Sequence, residues 1–376
     1  MKAKAIRWAE TFTSSETATW SLSSTDMTSP EAREQAVLEA VRKRRERVNE
    51  AIPEELPIKR PERLYEASRY LLDAGGKRLR PAVLLTAAEA LADVEPLSRD
   101  YRTFPTLDGD ASIDVMAAAV SVEVIQSFTL IHDDIMDDDD LRRGVPAVHK
   151  AYDLETAILA GDTLYSKAFE IMLDAGAKPE RAVEALDVLA NTCTQICEGQ
   201  QLDVAFEERA DVTPEEYLEM VEQKTAVLYA ASACLPAVLM GANQETIDAL
   251  YGYGLDVGRA FQIQDDVLDL TVPSEKLGKQ RGSDLVENKQ TLITVHARKQ
   301  GVDVGNLVDT TSVDDVTEAE IDDAVAVLED AGSISYANEM ARDLVTRGKD
   351  RLAVLPENEA HDLLLEIADY LIERGY

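Results

Sequence analysis

Apolar residues along the chain recur at helical spacing and almost never alternate. Ala36, Val37, Ala40 and Val41 fall on one face of a 3.6-residue repeat. The same period predicts helices near 62–73, 79–92, 111–138, 154–175, 180–203, 214–241, 243–270, 286–299, 316–331, 334–354 and 358–374. Ahead of the first of them, Ser29-Pro30-Glu31 offers an N-cap, a first-turn proline and an early acid, which together start a helix. Gly and Pro fall mostly between the predicted helices. Segment 93–114 (DVEPLSRDYRTFPTLDGDASID) holds turn residues without a period and reads as a long surface loop. No repeat of fixed length is evident. The economical arrangement is all-α: one large single-domain helical bundle whose core helices are hydrophobic nearly all round.

Residues 1–26 differ from the rest of the chain. They hold both tryptophans, Trp8 and Trp20, several Ser and Thr, and no net charge. We expect a disordered extension there, or a tail added by an early start codon, with the folded domain spanning 27–376. The N-terminus lacks the apolar core of a signal peptide, and no run approaches the roughly 18–20 uninterrupted apolar residues of a membrane span. The expectation is a cytoplasmic protein. Cys193, Cys197 and Cys234 suit a reducing compartment, and Cys193 and Cys197, one turn apart without a nearby histidine, read as core thiols.

Charge changes the picture. The chain carries 72 acidic against 38 basic residues, a formal net charge of -34. Such a balance argues against nucleic acid or an anionic membrane as partner. It resembles the surface chemistry of halophilic proteins, whose self-repulsion is screened by concentrated salt.

Acid is also concentrated locally. Residues 132–144 read HDDIMDDDDLRRG, with six aspartates in eight positions. The stretch is either a solvated acidic surface or a site for cations. On a helix advancing about 100° per residue, Asp133, Asp134, Asp137 and Asp140 share one stripe, while Asp138 and Asp139 point elsewhere. The spacing i, i+1, i+4 returns in FQIQDDVLDL as Asp265, Asp266 and Asp269, inside an apolar helix where solvated surface acid is an awkward explanation. Hard cations such as Mg²⁺ take a few carboxylate oxygens together with water and phosphate oxygens. The scarce basic residues gather in GGKRLRP (75–81), in RRG (142–144), at Lys224 and in the loop 278–292. Arg and Lys are the usual phosphate ligands, so the two acidic helices and these clusters point to diphosphates held through metal.

GGKRLRP, DDIMD followed by RRG, GQ-x-x-D as Gly199, Gln200 and Asp203, the pair Lys224-Thr225 and FQIQDDVLD stand in the order found in the trans-isoprenyl diphosphate synthases, or polyprenyl synthetases, which the chain resembles from about Met27 onward. The resemblance implies the isoprenoid synthase fold around a central cavity, a homodimer, and about three Mg²⁺ per site. It assigns Asp133, Asp134, Asp137, Asp265, Asp266 and Asp269 to the metals, and Arg142, Lys224 and Lys279 to the allylic diphosphate. Lys77, Arg80 and Arg143 match the isopentenyl diphosphate pocket; Gln126 stands where many members have histidine and some glutamine. Gln200 belongs to the substrate-binding set, and Thr225 and Gln262 match polar residues near the forming cation. Lys289 belongs to the same set, but the family often has Gly where this chain has Asn288, which leaves that loop's geometry open. A longer reading of the first motif through Asp139 is also open.

A terpene cyclase, a non-catalytic synthase subunit and a simple cation-binding module are the competing readings. The first lacks need of GGKRLRP, the second would have lost aspartates, and the third leaves the ordered Lys and Arg unexplained. Product length turns on the floor below the first motif. Helical geometry alone selects Thr129, whereas the resemblance selects Phe128, the fifth residue before the motif. A single aromatic there resembles the archaeal-type geranylgeranyl diphosphate synthases, for a C20 main product, with farnesyl (C15) synthesis as the alternative.

Overall fold

The computed structural model describes residues 30–373 apart from 110, 207, 208, 210, 278, 279, 311 and 314, and the side chains of 30–33, 276 and 277. The expectation for residues 1–26 therefore lies outside the described residues, as does Lys279. In chain order the helices are α1 (Pro30–Glu55), α2 (Glu62–Asp73), α3 (Leu79–Ala92), α4 (Val115–Met136), α5 (Val148–Ala151), α6 (Leu154–Leu173), α7 (Pro179–Phe206), α8 (Pro214–Val221), α9 (Val227–Met240) and α10 (Gln244–Thr271). There follow α11 (Ser274–Leu277), α12 (Ser283–Val286), α13 (Leu292–Lys299), α14 (Glu318–Asp330), α15 (Ser333–Arg351) and α16 (Glu359–Glu373).

The bundle is all-α around a centre formed by α3, α4, α9 and α10. Every residue of α9 is buried, and α3 is buried from Pro81 through Leu91. α4 packs on α6 and α3, while α10 packs on α9 and α15. α4 is long and apolar enough to cross a membrane by length and composition, a property the test for uninterrupted apolar runs misses, yet 78% of that stretch is buried in the bundle. The helix starts are capped as their sequences dictate. Asp114, Asp153 and Asn243 accept from the backbone N–H groups of Ala117, Thr156 and Thr246, and Thr213 with Glu216 forms a capping box, each worth about 1 kcal/mol.

The structure adds detail to the loop and corrects one of the cysteines. Segment 93–114 is mostly surface loop, as expected, but it is tied down: strands β1 (Phe104–Pro105) and β2 (Ser112–Ile113) pair antiparallel, and Tyr101 and Phe104 are buried. Its anchor is Glu89 in α3, which accepts from the Tyr101 hydroxyl at 2.6 Å and the Leu97 N–H at 2.7 Å, and pairs with buried Arg44. Cys193 and Cys234 are core thiols, but Cys197 is exposed. It faces a groove between α6, α7 and α8, lined also by Tyr165, Gln201 and Glu219.

Candidate active site

The first aspartate cluster sits at the C-terminal end of α4, the negative pole of the helix dipole, where carboxylates are disfavoured unless a cation joins them. The helix stops at Met136; Asp137 is its C-cap and Asp138 takes a left-handed φ of 52°. Asp140 therefore leaves the stripe on which a continuous helix would put it. It enters the hairpin of β3 (Leu141–Arg142) and β4 (Val145–Pro146), where it pairs with Lys150 at 3.0 Å. Asp133, Asp134 and Asp137 remain. Asp134 is fully buried; its Oδ1 accepts from Arg142 Nε at 2.6 Å and Nη2 at 2.5 Å, and its Oδ2 has no partner among the described residues. Arg142 also reaches Asp139 at 2.8 Å, so Asp139 serves this arginine. Burial pushes the Asp133 carboxyl up to about 6, against the pull of Lys224 and Arg142. Burial raises Asp137 too, with Lys224 and Lys289 opposing.

The second cluster lies in α10. Asp266 is buried and accepts from the Tyr217 hydroxyl at 2.6 Å and Gln262 Nε2 at 3.0 Å. Burial, then the nearby carboxylates of Asp284 and Asp265, drives its pKa well upward. Thr225 Oγ1 donates to Gln262 Oε1 at 3.2 Å, so Thr225, Gln262, Asp266 and Tyr217 form one connected chain. Asp269 is buried; its Oδ1 accepts from Ser283 Oγ at 3.0 Å and its Oδ2 from the Asp284 N–H at 3.2 Å. It thereby holds the turn that starts α12. Asp265 is half-buried beside Asp266.

The two helices meet across a cavity of about 140 Å³ whose walls include Asp137, Asp203, Lys224, Thr225, Asp266 and Lys289. Lys224 and Thr225 stand in a π-helical turn, Glu222–Ala226, that interrupts the continuous helix expected over 214–241; such turns recur at functional sites. α7 approaches this turn so closely that a Cβ on Gly199 would lie 2.2 Å from the Lys224 backbone nitrogen. Lys224 pairs with Asp203, and although burial works against its charge, Asp203, Asp133 and Asp137 outweigh it and keep the ammonium protonated. Asn288 resolves the loop geometry. Its φ is +56°, a conformation glycine adopts freely and asparagine better than most others. Lys289 then pairs with Glu287 at 3.0 Å and Asp284 at 3.6 Å and borders the cavity.

No three His, Cys, Asp or Glu side chains among the described residues converge as a metal cage. Each cluster instead offers one or two carboxylates, the protein share expected for a cation completed by water and phosphate oxygens. The unpartnered Asp134 Oδ2 and the raised carboxyls of Asp133, Asp137 and Asp266 fit such a cation.

GGKRLRP spans the link from α2 into the first turn of α3, with Gly75 at φ 102° and Gly76 at φ 142°. Lys77 is exposed on it. Arg80 lies 4.3 Å from the Tyr229 ring centroid, and its Nε is buried with no partner among the described residues. Gln126 is half-buried on α4, and Gln200 is buried on α7 with Oε1 unpartnered among the described residues. Phe128 is buried, its ring 5.0 Å from His132 and 5.4 Å from Tyr165 of α6, whereas Thr129 is half-buried and spends its hydroxyl on the Gln126 carbonyl at 2.9 Å. Tyr217 and Asp284 line the cavity without any sequence signal that singled them out.

A polyprenyl synthetase family model matches residues 61–328. The chain is 73% identical to a geranylfarnesyl diphosphate synthase from Natronomonas pharaonis over 90% of this chain and 97% of that one. It is 50% identical to a geranylgeranyl diphosphate synthase from Methanosarcina mazei, over 90% and 98%. Among solved structures, the geranylgeranyl pyrophosphate synthetase of Pyrococcus horikoshii superposes with a TM-score of 0.80 at 37% identity, covering 91% of this chain and 99% of that one. The corresponding protein from Geoglobus acetivorans gives 0.78 at 43%, covering 89% and 99%. The chain belongs to the polyprenyl synthetase family and is a trans-prenyltransferase with the all-α isoprenoid synthase fold.

Proposed function

We propose that the protein condenses isopentenyl diphosphate with allylic diphosphates, and that the cavity between the two aspartate helices is where the allylic diphosphate ionises. The observation that carries this is the convergence of Asp137, Asp266, Lys224 and Lys289 on one cavity. Asp133, Asp134 and Asp137 with Asp265, Asp266 and Asp269 would hold Mg²⁺, Asp269 being oriented by its bond from Ser283. Bound there, Mg²⁺ would supply Lewis acidity toward the diphosphate. Lys224, Arg142 and Lys289 stabilise the negative charge that builds on the leaving oxygen as the C–O bond breaks. Thr225 and Gln262 face the allylic cation that results. Lys77, Arg80, Arg143 and Gln126 hold isopentenyl diphosphate so that its double bond attacks that carbon, and the proton then lost passes to the released diphosphate. Fixing both partners is worth up to about 7–11 kcal/mol of the barrier.

The main product is C20 geranylgeranyl diphosphate, with Phe128, packed against Tyr165, as the floor that limits chain growth. A C25 product is the second reading, favoured by the name of the relative that is 73% identical. The working unit is a homodimer: α6 exposes Leu154, Ile158, Leu159, Tyr165 and Leu173, an apolar face that a second copy would cover. The acidic composition suits a salt-rich cytoplasm. The test is incubation with Mg²⁺, isopentenyl diphosphate and dimethylallyl, geranyl or farnesyl diphosphate in high salt, followed by chromatography. A C20 alcohol after dephosphorylation is expected; C25 selects the second reading, and no chain extension from any primer overturns both.

A further inference from the structure

Glu123 lies in the most apolar stretch of α4, three residues before Gln126, and is only 3% exposed. An isolated carboxylate there would be strongly disfavoured. Two guanidinium groups sustain it: Arg78 Nη1 at 2.5 Å and Arg143 Nη2 at 3.3 Å. Each arginine is otherwise committed to backbone and neighbouring side chains. Arg78 donates from Nη2 to the Leu72 carbonyl at 2.5 Å and from Nε to Asn49 Oδ1 at 3.0 Å. Arg143 donates from Nη1 to the Leu71 carbonyl at 2.9 Å and to the Gly75 carbonyl. Three segments thus meet on one carboxylate: the end of α2, the turn leading into α3, and the hairpin after the first aspartate motif.

That meeting point fixes a conformation the chain would not adopt alone. Arg78 has a left-handed φ of 50°, which costs a non-glycine residue about 1 kcal/mol or more. Gly76 leaves no room for a side chain, since a Cβ there would lie 2.9 Å from the Arg143 guanidinium carbon. Lys77 stands between these two residues, so its position follows from theirs. One carboxylate between two guanidinium groups also relieves their mutual repulsion while leaving a net positive charge beside the proposed diphosphate pocket.

We infer that Glu123 is the positioning residue of the isopentenyl diphosphate pocket: without touching substrate, it places Lys77 and Arg143 by holding Arg78 and Arg143 together. This rests on the proposed reading of that pocket. The test is steady-state kinetics of the full-length protein with each substrate varied in turn, together with thermal melting. Glu123→Gln removes the charge and keeps the shape. It is expected to raise KM for isopentenyl diphosphate roughly ten- to hundredfold, with KM for the allylic substrate and kcat within about threefold. Glu123→Asp, which keeps the charge on a shorter arm, recovers part of the loss.

Asn49→Ala removes the other side-chain partner of Arg78 and serves as the stability control; it lowers the melting temperature without separating the two KM values. If Glu123→Gln raises both KM values equally, or lowers kcat alone, the inference is wrong. If that variant does not accumulate as folded protein, Glu123→Asp must show the same substrate selectivity, and its absence overturns the inference. Lys77→Ala separates the two levels. An unchanged KM for isopentenyl diphosphate in that variant removes the pocket reading itself. A raised value there, beside an unaffected Glu123→Gln, removes only the role of Glu123.

Discussion

Replacing Gly199 with alanine adds one methyl group where α7 touches the π-turn. The new carbon would stand 2.2 Å from the Lys224 nitrogen, 2.7 Å from the Gln223 carbonyl carbon and 2.8 Å from Gln223 Cβ. The closest approach falls about 1.2 Å short of the 3.4 Å at which ordinary contact begins, and two of the three atoms are backbone that no rotamer change can move. α7 and the π-turn must separate by roughly 1 Å. Overpacking of this kind costs about 1–3 kcal/mol, and the better helix propensity of alanine returns about 1 kcal/mol. The net loss of stability is therefore small, and the melting temperature of a chain this long should fall by only a few degrees. Catalysis should suffer far more, because the displaced turn carries Lys224 and Thr225, and a 1 Å misplacement of positioning groups costs on the order of a hundredfold. The assay is incorporation of labelled isopentenyl diphosphate into acid-labile product, compared with melting followed by circular dichroism. Gly305→Ala, where the added carbon meets nothing nearer than 3.8 Å, is the control and should change neither. Activity within threefold of the unmodified enzyme would refute the reasoning, as would a rate loss accounted for by unfolding.

Chelation should abolish turnover, and Asp133→Ala or Asp265→Ala should each lower it by orders of magnitude while far-ultraviolet circular dichroism stays unchanged; full activity in excess EDTA would count against metal dependence. Phe128→Ala should shift the product toward longer chains by opening space toward Tyr165, and an unchanged product spectrum on chromatography would put the floor elsewhere. A chain that begins at Met27 should match the full chain in melting temperature and specific activity. Loss of either would give Trp8 and Trp20 a structural role.

Helix positions were legible because burial imposes a 3.6 period, and α2 and α3 fall where that period places them. The breaks inside helices were not. The π-turn at Glu222–Ala226 lies where α7 comes closest through Gly199, a tertiary contact that no local window contains. Asp140 was misplaced for a related reason: the wheel assumes a continuing helix, but successive aspartates at the negative pole of α4 end it at Met136. The aspartates proposed to hold Mg²⁺ were visible because their type and spacing are themselves the signal. Tyr217, Asp284 and Glu123 carry no such spacing, and each acquires its place from tertiary neighbours, Asp266 for Tyr217 and Arg78 for Glu123 among them.

In the hairpin after the first motif, Arg142 turns toward Asp134 and Asp139, while Arg143, its immediate neighbour with a left-handed φ of 55°, turns toward Glu123 and the Gly75 carbonyl. Two adjacent residues thus reach different parts of the fold, Arg142 the end of α4 and Arg143 the link from α2 to α3, so each proposed pocket would draw one arginine from this turn. Point substitutions can tune either arginine separately over evolutionary time, but a one-residue insertion or deletion here would disturb both at once. Descendants that diversify in product should therefore vary freely in the floor near Phe128 while this hairpin keeps its length.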